Sequence, residues 1–131
     1  MQNPISLFLI AAVVMAVIDL FWLGIVARKM YQKYIGFLLA PKTNVPAAVL
    51  FYTIFIIGLV AFVIVPALDA PNQLQHAVTH GLLWGLCTYA TYDLTNLATV
   101  KNWPVTLTVI DLVWGSFISA AVASVTVLIA R

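Results

Sequence analysis

Charge is what this sequence has least of. Only 8% of its 131 positions are Asp, Glu, Lys or Arg, against about 25% in a soluble domain. Six basic and four acidic side chains give a net charge of +2, far too little to cover a nucleic-acid backbone, so no nucleic-acid partner is expected. There is one cysteine, Cys87, which excludes an intrachain disulfide. Paired His-rich motifs and a nucleophile elbow are missing, which weighs against an enzyme acting on membrane lipid. The opening Met1-Gln2-Asn3-Pro4 has no basic residue, and positive charge follows the first apolar run instead, at Arg28-Lys29. A cleaved signal peptide has the reverse order, so the first run is expected to be a retained span.

Apolar residues are abundant, at 64%. A soluble fold this apolar would expose large sticky patches; lipid accommodates it. A spanning helix needs roughly 20 apolar residues, and four segments qualify: about 5–27, 46–65, 76–99 and 104–129. Their length without alternation excludes a β-barrel. The expected fold is all-α: one integral membrane four-helix bundle over 1–131, with no soluble domain. Pro46 suits a first helical turn and Pro66 marks that helix's end. Asn102 and Pro104 serve as cap and first-turn proline of the fourth.

Arg28, Lys29, Lys33 and Lys42 lie in the first loop and Lys101 in the third, while the second loop holds Asp69 and no basic residue. The positive-inside rule therefore places these two loops in the cytosol and both termini outward. Tyr31, Tyr34 and Trp103 fall at interfacial-belt positions. The first loop either lies flat on the lipid surface or continues helix one. Ile18–Leu23 and Tyr92–Leu97 share a faint pattern around an aspartate, of the size chance supplies.

Three of the four acidic residues, Asp19, Asp93 and Asp111, fall inside spans. Each costs about 2.5–3.5 kcal/mol at mid-membrane. Counting from Asp19 to Arg28, from Asp93 to Lys101 and from Pro104 to Asp111 at about 1.5 Å per residue puts all three roughly 10–14 Å from the cytosolic boundary. They are expected to share one interior site. Trp22 and Trp114 lie three residues beyond Asp19 and Asp111, and Tyr89 and Asn96 share the face of Asp93, supplying donors at helical spacing. Such a cluster binds a cation, a proton or a small or lipid ligand; the plainer alternative is hydrogen-bonded glue between helices.

His76 and His80, at i and i+4, present both imidazoles on one face. That is compatible with a metal or haem, though an interfacial hydrogen-bonded pair is the commoner arrangement. Gly81 and Gly85, with Ser116, Ala120 and Ser124, recur every four residues, a pattern that brings helices close within the bundle or between protomers. The second helix, with only Tyr52 and Thr53 as polar side chains, is expected to face lipid.

Thr91–Thr99 (Thr-Tyr-Asp-Leu-Thr-Asn-Leu-Ala-Thr), with Asp19-Leu20-Phe21-Trp22-Leu23-Gly24 upstream and Asp111-Leu112-Val113-Trp114-Gly115 downstream, resembles a family of small bacterial membrane proteins catalogued as a domain of unknown function. The resemblance spans the chain and implies a bacterial inner-membrane protein with four spans. It implies no activity, substrate or cofactor. The leading expectation is a transporter-like or ligand-binding module using the three aspartates. The alternatives are a membrane-embedded lipid-modifying enzyme, and an accessory subunit of a larger membrane complex or homo-oligomer. Partners in every case include membrane lipids.

Overall fold

The computed structural model describes residues 3–131, and among these every regular element is a helix. Helix α1 (Pro4–Phe21) begins where Asn3 Oδ1 accepts from Ile5 N–H at 2.8 Å, with Pro4 supplying a first position that needs no donor. Its buried residues are Leu7, Ala11, Met15 and Asp19, one line at four-residue steps, while Ile5, Leu9, Val13 and Val17 stay exposed on the other side. Asp19 thus occupies the next inward position of an apolar stripe.

After Phe21 the helix widens. Trp22–Val26 is a π-helical turn, closed by Ala27 N–H donating to Trp22 O at 2.7 Å. A π turn absorbs one extra residue and re-aims the chain downstream of it. A separate helix, α2 (Arg28–Ile35), then packs against the start of the last helix, where Ile35, Trp103 and Leu107 form a small second core. Within the first loop, α2 thus packs on the start of the last helix through Ile35, while residues 36–44 are exposed.

Helix α3 (Val45–Leu59) is capped by Asn44, whose side chain accepts from Ala47 N–H at 3.2 Å. Pro66 does not end this span. A second π turn, Val60–Ile64, leads into α4 (Val65–Leu68). Proline lacks an N–H and crowds the carbonyl four residues back, and the widened turn just before it relieves both demands.

Helices α5 (Gln73–Thr99) and α6 (Val105–Ala130) form a long hairpin. Asn102 is not a cap: it takes a left-handed φ of 61° in the connecting turn, which asparagine tolerates. Pro104, at ψ 131°, occupies the cap position itself. Trp103 Nε1 donates to Thr108 Oγ1 at 3.1 Å, and Thr108 Oγ1 donates to Pro104 O at 3.0 Å, tying the turn to the helix. Trp103 is thereby turned inward and buried.

Glycine sets the hairpin's spacing. A Cβ on Gly85 would lie 2.0 Å from the Gly115 carbonyl oxygen, and one on Gly81 would lie 2.7 Å from Ala120 Cα. The backbones touch, as small-residue packing permits, so these glycines serve contacts within the chain. Around this hairpin Leu7, Met15, Leu59, Ile64, Ile118, Val122 and Val127 make the main core.

The outside is also apolar, with Ile5, Val17, Leu20, Phe62 and Val113 all exposed. Three helical stretches, Pro4–Val26, Val45–Leu68 and Val105–Ala130, are long and apolar enough to cross a membrane. Helix α5, the third of the four expected spans, is long enough but falls short on hydropathy. Its 27 residues include Gln73, Gln75, His76, His80, Asp93 and Asn96.

Candidate interior carboxyl site

The α5–α6 register brings the acidic residues together. Tyr89 lies over Gly115, where a Cβ would come within 2.2 Å of its ring. Four residues further along α5 is Asp93, and four residues back along α6 is Asp111. An antiparallel pair must oppose these two, and their carboxyl groups lie within hydrogen-bonding reach of one another. Asp93 is 0% exposed and Asp111 4%.

Neither oxygen of Asp93 receives a hydrogen bond from any donor among the described residues. Two carboxylates cannot donate to each other, so the Asp93–Asp111 contact becomes a hydrogen bond only when one of them carries a proton. A buried carboxyl without a donor is costly, and a shared proton removes that cost.

Asp111 has a second partner that sequence reasoning placed elsewhere. Tyr31 of α2 donates its phenol to Asp111 Oδ1 at 2.5 Å. The π turn after α1 leads into α2, which packs at the start of α6. Burial, and then the Asp111 hydrogen bond and charge, push the Tyr31 phenol above its ordinary range, so it remains the donor. Tyr31→Phe is expected to cost roughly 1.5–3 kcal/mol, the range for a hydrogen bond to a charged group, read as a lower thermal midpoint of the detergent-solubilised protein.

Asp19, 6% exposed, accepts from the Tyr52 hydroxyl of α3. The helix expected to face lipid therefore contributes a polar group to the interior. Its outer face, Val49, Leu50, Ile54 and Ile57, is exposed as expected. Tyr52 was the one signal available: a phenol in a span with a single polar neighbour.

Trp22 and Trp114 do not serve as ordinary carboxylate donors. Their rings stack on each other at 4.2 Å and 10°. Trp114 Nε1 faces Asp19 and Trp22 Nε1 faces Tyr31, yet neither N–H reaches normal hydrogen-bond geometry. The stack joins the Asp19 side to the Asp111 side. Tyr89 lies within electrostatic range of all three carboxyls. Asn96 is half-buried on α5 and makes no side-chain hydrogen bond to the three aspartates.

Two carboxyl groups are thus adjacent and the third stands across the indole stack. No group of three His, Cys, Asp or Glu able to hold a metal ion forms among the described residues. His76 and His80 stack at 3.7 Å and 5°. His80 Nδ1 lies 3.1 Å from the His76 carbonyl, while His76 Nδ1 is buried without a partner. Stacked rings hold their nitrogen lone pairs in parallel planes, a poor arrangement for converging on one metal.

These features define an all-helical membrane protein with carboxyl groups in its interior and a surface suited to lipid. The chain belongs to the family described as "Predicted membrane protein (DUF2177)", which its residues 4–128 match. No curated protein and no solved structure matches it.

Proposed function

We propose that this chain is a small four-span protein of the bacterial inner membrane, both termini outward, that loads a proton or cation together with a small or lipid ligand at its interior carboxyls. It works as a carrier-like binding module rather than as an enzyme. The remaining span, third in chain order, is α5. Its 27 residues reach about 40 Å at 1.5 Å each, more than a bilayer's roughly 30 Å core. Val78, Leu82, Leu83 and Leu86 are exposed along it, whereas Asp93 and Gly85 turn inward. With four spans, the basic loops after α1 and α5 share the cytosolic side.

The single observation carrying this reading is Asp93: wholly enclosed, without a donor, and against a second carboxyl. Membrane proteins keep such groups where protons or ions pass. Purified protein in liposomes enclosing a pH-sensitive dye tests it. After an external pH step, the wild-type interior should equilibrate faster than in empty liposomes, and Asp93→Asn should return the rate to the empty-liposome value. Equal rates for wild type and Asp93→Asn overturn the proposal.

A further inference from the structure

Helices α1 and α3 do not close against each other along their whole length. Between them lies a cleft of about 490 Å³ lined by Phe8, Ala12, Met15, Asp19, Tyr52 and Ile56, among others. It falls within the usual range of small-molecule sites, about 300–1,000 Å³. The gap follows from the sequence. Ala12 and Ala16 are too short to fill it, and Leu7 is buried in the main core instead.

The cleft is long and polar at one place only. From Asp19 to Phe8 is eleven residues of α1, about 16 Å of helix rise. Thr53 also lines it, but its hydroxyl gives its one proton to Val49 O at 2.8 Å and remains only a neutral acceptor. The charged acceptor left for a ligand is the Asp19 carboxyl, with the Tyr52 hydroxyl beside it. Tyr52 donates to Asp19 Oδ2, and no hydrogen bond of normal geometry reaches Asp19 Oδ1 from the described residues.

We infer that this cleft binds a single-chain lipid whose head donates a hydrogen bond, a long-chain alcohol or amine, with the head on Asp19 and the tail running toward Phe8. Charge selects the head. A carboxyl flanked by a phenol attracts a hydroxyl or ammonium group and repels phosphate and fatty-acid carboxylate. Depth selects it too, since a phospholipid keeps its headgroup at the water interface. This names the ligand class for the function proposed above and rests on it only for the idea that a ligand is bound. The Asp93–Asp111 pair lies on the far side of the indole stack and is not part of the cleft.

A photoreactive probe tests the inference: hexadecanol with a diazirine near its chain end, irradiated with the full chain in nanodiscs and mapped by mass spectrometry. Adducts should concentrate on the α1 and α3 positions that line the cleft. Unlabelled hexadecanol and hexadecylamine should displace the probe about tenfold more effectively than hexadecyl methyl ether, which has no donor. Ala12→Phe should abolish labelling by filling the cleft, and Asp19→Leu should erase the preference for donors while labelling persists. Adducts spread evenly over all exposed helix faces, equal displacement by the ether, or undiminished labelling of Ala12→Phe would each overturn it. Asp93→Asn should label like wild type. Loss of labelling there places the ligand at the carboxyl pair and also overturns the cleft, whereas failed proton flux with intact labelling removes only the carrier reading.

Discussion

Gly85→Leu should prevent the α5–α6 hairpin from closing, with little or no monodisperse protein recovered in detergent. The contact there is backbone against backbone: even a bare Cβ would sit 2.0 Å from the Gly115 carbonyl oxygen and 2.7 Å from Ser116 Cα. A neighbouring side chain can change rotamer, but a carbonyl inside a helix can move only with its helix. Overpacking typically costs about 1–3 kcal/mol, occasionally more, and this site belongs at or above the upper end. Gly24 supplies the control, because a Cβ there meets nothing within 4 Å. Gly24→Ala should leave the thermal midpoint within the small range, about 0.5 kcal/mol either way, of surface changes. If Gly85→Leu and Gly24→Ala melt alike, the two helices do not meet backbone to backbone.

Asp93→Asn should separate stability from function. In the wild type the Asp93–Asp111 contact holds only with a proton between the carboxyls. An asparagine amide donates to Asp111 without one, so the variant should fold at least as stably as wild type and show an equal or higher thermal midpoint. Asp93→Leu lacks a donor and leaves Asp111 with Tyr31 alone. It should be less stable by roughly 1–3 kcal/mol, the cost of an unsatisfied buried acceptor. Proton movement across liposomes should vanish in both. Asp111→Asn should behave like Asp93→Asn, and the double variant should lose no further flux, because one shared proton can be lost only once. An Asp93→Asn protein markedly less stable than wild type would contradict the shared-proton contact.

Much of this was legible in the sequence, and the rest was hidden for identifiable reasons. Long apolar runs located the helices, because helix formation in lipid leaves backbone groups no other choice. Asp19, Asp93 and Asp111 were legible as interior residues on cost alone. Their pairing was not, since it depends on an antiparallel register set by glycine contacts between α5 and α6. Tyr52 and Tyr31 escaped for different reasons. Tyr52 lay in a helix whose composition spoke for lipid, and Tyr31 reaches Asp111 beyond a π turn whose extra residue periodicity does not encode. The tryptophans had the right spacing from their aspartates, but ring stacking, which spacing does not reveal, decided where they point. Pro66 shows the limit of punctuation rules, because a widened turn lets the helix run past it.

That widened geometry at Trp22–Val26 has a consequence for how the protein could be re-engineered. The bearing of Arg28–Ile35 is written in the number of residues in the turn rather than in their identity. Removing any one of Leu23, Gly24 or Ile25 would restore ordinary winding and leave the downstream helix facing nearly the same way, whereas one further residue that the turn cannot absorb would rotate everything downstream by about 100°, one residue's share of a 3.6-residue turn. The phenol that covers Asp111 would then face another direction while the buried line from Leu7 to Asp19 stayed where it is, so a one-codon insertion would uncap the interior without editing a single group inside it.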